Sequence, residues 1–429
     1  MIYLFVHQNF PGQFLHIVRR LAAQNRHDVV FLSEPNANRI SGVRTFNYAM
    51  PEVSGNTWRD AADFEKAVVR ADVVRKAALS LKQLGFVPDI IIGHHGWGEL
   101  LNLPDVWPGT PILGYHEFYY TLSGHDVGFD PEFPTPTDLY PRVRAKNAVN
   151  LIALNNPGHG FTPTRYQLET YPAWAQPGIT VLPEGVDLQT CMPDPNLRRL
   201  PFRIGDATIG PEQKLVTYVA RDLEPYRGFH TLMRAAPLIQ AARPDTHLVL
   251  VGGDNVSYGA ALSGTTWREH LLKEVGRRLD TGRIHFPGQV PYELYQALLK
   301  RSDAHIYLTY PFVASWSLRE AMATGCAIVG SDVAPVREFI TDRRTGLLTP
   351  CLEPARLADR VLELLEDRPL ALRLGRAARR HAEAALDLNA YLDKFEALIA
   401  RLLPDAARLR QVKRSRRSAA SAMSASGPQ

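Results

Sequence analysis

The chain starts an alternation of strand, loop and helix at residue 2 and, after a break, starts it afresh near residue 214. The first series opens on "IYLFVH" (2–7), a β-branched and aromatic run. The loop "QNFPG" follows, then an amphipathic segment from Gln13 to about Gln24, then "HDVVFLSE" (27–34). Two strands joined by a helical crossover form a βαβ unit, whose strands run parallel. A helical pattern over about 60–84 leads to strands at 89–95 and 111–117. The second series opens on "KLVTYVAR" (214–221) and runs through a helix at 230–243 and the strand "THLVLVGGD" (246–254). It continues through "RIHFPG", "AHIYLTY" (304–310) and "CAIVGSD" (326–332), with helical segments between them. Such a repeat fixes the class as α/β, with two doubly wound sheets facing across a cleft.

Length agrees, since 429 residues exceed what one core supports. From about 183 the composition becomes loop-like, which marks the linker. The expected division is a first domain over 1–205, a second over 206–385, a helix over 386–405 packing back on the first domain, and a tail over 406–429. The Pro- and Gly-rich stretch 123–142 is too long for a plain connection and reads as a functional loop.

Bulk properties exclude several classes. The net charge is +5, and six basic residues between Arg408 and Arg417 account for more than all of it. The body is therefore nearly neutral and offers no nucleic-acid surface. The basic tail reads as disordered, with peripheral contact to anionic lipid or contact to nucleic acid as its alternative use. Cys191, Cys326 and Cys351 lack disulfide or metal spacing and are expected as reduced thiols. The opening residues carry no signal-peptide pattern, and no apolar run approaches a membrane span, so a cytoplasmic location is expected.

Neither series carries G-x-G-x-x-G or a Walker loop, which disfavours classical NAD enzymes and P-loop NTPases. Ligands of open α/β sheets nevertheless gather beyond the carboxyl ends of the strands. There "YPFVASWSLREAMATGCAIVGSD" (310–332) places Ser317 and Glu320 at capping-box spacing, with Gly325 at the helix end. A helix N-terminus offers unpaired N–H groups and partial positive charge, which suit phosphate. Arg221 and Arg227 flank a turn containing Pro225 and Gly228. Two cations at a strand end suit a diphosphate; the plain alternative is surface pairing with Asp222 and Glu224. His94, His95 and His116 end two strands of the first series.

With these residues the sequence resembles the family-4 glycosyltransferases, which have two Rossmann-like domains in the GT-B arrangement. The resemblance spans nearly the whole chain and is most specific in "ARDLEPYRGF", "VGGD" and "YPFVASWSLREAMATGCAIVGSDVAPVREFI". It implies that Arg221 and Arg227, the latter in place of the usual Lys, grip the donor diphosphate. Glu320 matches the second acid of the family's Glu-x7-Glu pair, which binds ribose hydroxyls. The first acid falls on Phe312, which makes a hydrophobic wall where relatives hold the transferred sugar. Gly12 and Gln13 are placed near the diphosphate and His116 beside the transferred sugar. His94, His95, Glu117, Gly252, Ser315, Trp316 and Ser317 are implied as substrate contacts, and the backbone near Val290 reads the base.

The activity so implied is a retaining, metal-independent transfer from a UDP- or GDP-linked sugar, which serves as co-substrate and not as cofactor, to a hydroxyl acceptor. A glycan, a glycolipid and a small metabolite all remain open as acceptor. Two other readings keep the same architecture: a nucleotide-sugar epimerase, and a non-catalytic carbohydrate-binding protein, which Phe312 makes thinkable.

Overall fold

The computed structural model describes residues 1–52, 57–155 and 158–403; the basic tail lies outside them. The first sheet contains β1 (Ile2–Val6), β2 (Asp28–Ser33), β3 (Val43–Asn47), β4 (Ile90–His94), β5 (Ile112–Tyr115), β6 (Gly158–Thr162) and β7 (Ile179–Val181). Their order is β3-β2-β1-β4-β5-β6-β7, parallel throughout. A short antiparallel hairpin, β8 (Phe202–Ile204) with β9 (Ala207–Ile209), precedes the second sheet. That sheet contains β10 (Lys214–Asp222), β11 (Thr246–Gly253), β12 (Ile284–Gly288), β13 (Ala304–Tyr307), β14 (Ile328–Ser331) and β15 (Leu347–Thr349). Its order, β12-β11-β10-β13-β14-β15, repeats the pattern of the first.

Both sheets therefore reverse winding direction beside their first strand, between β1 and β4 and between β10 and β13. Loops leaving those neighbours diverge and open a crevice, the usual ligand position in such sheets. Central strands of a parallel sheet are covered on both faces, and "YLFV" (3–6) and "LVLV" (248–251) are buried at every position.

The hairpin packs on the second domain, with Phe202, Ile204 and Ile209 against Leu215, Val249 and Leu298. Beyond it the chain crosses back. Val186 pairs with Asp387, and the Leu388–Leu402 helix lays Tyr391, Phe395 and Leu398 into the core that holds Phe5, Phe14 and Phe161. The loop 123–142 reaches across from the first domain to the second. Asp126 accepts from Tyr226 Oη (2.6 Å), Asp130 pairs with His230 (3.1 Å) and Tyr310, and Glu132 pairs with Arg234 (2.6 Å). Phe133 packs against His230 and Trp267. The three cysteines are free and buried, and no helix among the described residues is long and apolar enough to cross a membrane.

Candidate active site in the interdomain crevice

Between β10 and the helix starting at Phe229 the chain makes a short turn, Pro225–Arg227, closed by Gly228 in the left-handed region (φ 70°). A Cβ on Gly228 would lie 2.4 Å from Leu308 Cβ, so only glycine lets this turn sit against the end of β13. The turn buries Arg227. Its Nη1 donates to Thr309 Oγ1 (2.8 Å) and to the carbonyl of Val313 (3.0 Å), and the guanidinium lies 4.9 Å from the Tyr258 ring centre.

The pairing with Asp222 and Glu224 does not form. Asp222 accepts from Ser257 Oγ, while the Glu224 carboxylate accepts the backbone N–H groups of Ser257 (3.1 Å), Tyr258 (3.2 Å) and Gly259 (2.8 Å). Among the described residues no carboxylate forms an ion pair with Arg227 or Arg221. Arg221 is exposed at the end of β10. Its charge nonetheless reaches Glu117 of the first domain. Burial pushes the Glu117 carboxyl up, but His94 beside it and the Arg221 guanidinium hold it below the usual range.

The helix after β13 starts at Trp316, with Ser315 as its N-cap. The expected capping box is thus absent: Ser317 falls inside the first turn, where its side chain has no free N–H to cap. Ser315 N donates to Tyr307 Oη (2.7 Å) instead. Glu320 is left free for other partners and accepts from Tyr292 Oη (2.8 Å) and Tyr295 Oη (2.7 Å). Burial raises its pKa, and the two phenols partly oppose that. Val290 is half-buried just before the helix carrying these tyrosines, whereas Gly252 has a packing reason, since a Cβ there would meet Leu223 at 2.9 Å.

Across the crevice, Gly12 takes φ 54° directly over His7, whose Nδ1 would lie 2.8 Å from an added Cβ. Burial pulls His7 down to about 4, so this imidazole is neutral. Gln13 presents a buried amide nitrogen with no partner. His94 accepts from Gly96 N (2.9 Å) and holds Nε2 3.4 Å from Glu117 Oε2.

His116 stands elsewhere. Along β5 the side chains alternate: Leu113 and Tyr115 pack toward Phe14 and Ile17, whereas Ile112 packs toward Val74 and Ala78. His116 follows Ile112, and its ring meets His95 (4.7 Å) and Tyr171 (5.2 Å) on the face away from Glu117. The structure therefore brings His7, His94 and Glu117 together and sets His95 and His116 apart from them.

Phe312 is buried at the domain boundary, with Phe118 at 4.7 Å and Tyr226 and Tyr258 each at 5.3 Å. It forms a plug between the domains. Restoring an acid there as Phe312→Glu is expected to cost at least about 3 kcal/mol, by losing aromatic packing and burying a carboxyl. A drop in the urea midpoint without a gain in transfer rate checks this.

One contributor lies outside every motif. Glu184, after β7, accepts from Trp316 Nε1 (2.8 Å) and lies 3.4 Å from Arg319 Nη1, so the first domain grips the second at the start of this helix. One group among the described residues, Asp130, Glu132 and His230, has donor atoms close enough together for a metal ion. Tyr310 and Arg234 already occupy its carboxylates.

Residues 25–191 match the "Glycosyl transferase family 4 group" family and residues 204–381 match "Glycosyl transferases group 1". A glycogen synthase of Mycobacterium tuberculosis is 27% identical over 88% of this chain and 87% of its own. Among solved structures, sucrose-phosphate synthase from Thermosynechococcus elongatus superposes with TM-score 0.70 at 20% identity, covering 94% of this chain and 99% of its own. HepE from Anabaena, solved in complex with UDP-glucose, superposes with TM-score 0.64 at 16% identity, covering 94% of this chain and 100% of its own. With two like-ordered parallel sheets facing across a crevice and a family match on each half, the chain belongs to the family-4 glycosyltransferases and has their GT-B fold.

Proposed function

We propose that the crevice moves a glycosyl unit from a nucleoside diphosphate sugar, uridine- or guanosine-linked, to a hydroxyl acceptor with retention of configuration and without a divalent ion. The observation that carries this reading is Arg227, a buried guanidinium that forms no ion pair with a carboxylate among the described residues. A buried cation left unpaired is costly, and an anionic substrate relieves that cost. Arg221, the unpartnered Gln13 amide nitrogen and the N–H groups of Trp316 and Ser317 complete an anion-binding end, the Ser315 N–H being held by Tyr307, and Glu320 supplies a carboxylate for ribose hydroxyls.

In this reading the bond from the anomeric carbon to the phosphate oxygen breaks as an oxocarbenium-like sugar forms. The protein donors meet the charge that grows on the departing diphosphate. The acceptor oxygen bonds to the same face of the sugar, and its proton passes to the departing phosphate oxygen. The UDP-glucose complex of HepE supports a sugar nucleotide as donor. A thermal-shift panel of nucleoside diphosphates in chelator tests the reading. UDP or GDP is expected to raise the melting temperature, since a ligand that binds only the folded state stabilises it by about 2.7 kcal/mol at a hundredfold excess over Kd. Silence from every nucleotide refutes the donor class, and a shift that needs added Mg2+ or Mn2+ refutes metal independence.

A further inference from the structure

On the His116 face of the first sheet lies a cavity of about 170 Å3, bounded by β5, β6, the end of the Tyr140–Leu154 helix and the turn at 174–179. His95, His116 and His159 line it, with Trp174 and Gly178. The His95 and His116 rings sit 4.7 Å apart, and each Nδ1 is buried with no hydrogen-bond partner. His159 Nε2 lies 2.7 Å from Thr180 Oγ1. Glycines make the room for these rings: a Cβ on Gly114 would come within 2.0 Å of His95, and one on Gly160 within 2.6 Å of His116. Trp174 is 63% exposed.

Buried polar atoms in folded proteins are nearly always satisfied, and this space exceeds what a single water fills. Burial pulls His116 down to about 3 and His95 well below its ordinary value, and it lowers His159 as well. The walls therefore offer hydrogen bonds without positive charge, which suits hydroxyls and not phosphate or carboxylate. An exposed indole beside uncharged hydrogen-bonding groups matches the two surfaces of a pyranose, its C–H face and its hydroxyl rim.

We propose that this cavity is a second carbohydrate site, separate from the crevice, which takes one neutral sugar unit of a glycan with its ring against Trp174 and its hydroxyls toward His95 and His116. Such a site would hold a glycan on the first domain while another part of it meets the donor; that last role rests on the transfer reading above, whereas binding itself does not.

Saturation-transfer NMR on the full chain tests it, with glucose, mannose, maltotriose and mannotriose as neutral probes and glucuronate as the charged one. At least one neutral probe is expected to bind, and saturating UDP is expected not to displace it. Trp174→Ala removes the platform, and Gly178→Phe fills the mouth from a position where a Cβ meets nothing within 4 Å. Each is expected to weaken binding at least tenfold while the melting temperature and its response to nucleotide stay unchanged. Failure of every neutral probe, equal binding by both variants, or preference for glucuronate overturns the proposal, and the nucleotide response separates that failure from a failure of the donor reading.

Discussion

Arg227→Ala is expected to lower kcat/KM for glycosyl transfer roughly a hundredfold to a thousandfold, the usual cost of deleting one donor to a developing negative charge. That range corresponds to about 2.7–4 kcal/mol of barrier. The size follows from where the side chain sits. Arg227 is buried, its Nη1 is fixed by Thr309 and Val313, and Tyr258 covers the guanidinium face. A preorganised cation in a dry place acts far more strongly on leaving-group charge than an exposed one. Arg221→Ala should cost less, because Arg221 is exposed and water screens it. Arg227→Lys keeps the charge but loses the planar guanidinium that lies against the Tyr258 ring, so it should recover only part of the loss. Initial rates, with melting curves run beside them, check the series. Because the alanine variant also unpairs Thr309 and the Val313 carbonyl, some loss of stability is expected; near-normal transfer by a folded Arg227→Ala protein removes it from the role.

The architecture could be read from the chain because strands covered on both faces leave near-continuous apolar runs, as in "IYLFV" and "THLVLV". The strands that escaped reading carry the opposite signal. β6, "GHGFT", holds two glycines, and both are dictated by neighbours: a Cβ at Gly158 would strike the Ile112 carbonyl at 2.1 Å, and Gly160 yields to His116. β3, "VRTFN", is an edge strand that is exposed or half-exposed at every position. In the crevice, the turn around Pro225 and Gly228 announced Arg227. The position of His116 was also available: a strand ending "ILGYH" turns Tyr115 and His116 to opposite faces, and the tyrosine's place in the core decides which. Ser317 failed as a cap for a smaller reason, since the S-x-x-E spacing was present but the helix begins at Trp316. Glu184 carried no signal at all, and the motif containing Arg319 did not name its partner, because two segments remote in sequence meet only once the domains have packed.

Glu184→Leu is expected to destabilise the protein by about 3–5 kcal/mol, the cost of leaving a buried charge without its partner. Arg319 is 2% exposed, lies 4.9 Å from the Phe339 ring centre, and has no hydrogen bond from any of its three guanidinium nitrogens. Its charge is answered by Glu184 at 3.4 Å. A guanidinium cannot shed its proton in a protein, so deleting the acid strands the cation. Deleting the base is milder, because a carboxyl can protonate, and burial already raises the Glu184 pKa against the pull of Arg319 and Trp316. Arg319→Met should therefore cost less than Glu184→Leu, and its cost should depend on pH. With the cation gone the folded-state pKa of Glu184 rises further above its unfolded value. The folded state then binds more protons than the unfolded one, and stability falls as pH climbs from the unfolded carboxyl value toward the folded one. The double variant Glu184→Leu/Arg319→Met removes both charges and should recover most of the loss, since apolar replacement of a buried pair is often close to neutral. Urea midpoints for the two single variants and the double, each at two pH values, measure all of this. Because Glu184 also fixes the Trp316 indole at 2.8 Å, the double variant should regain stability without regaining full transfer; a variant that recovers both would show that this contact between the domains is structural alone.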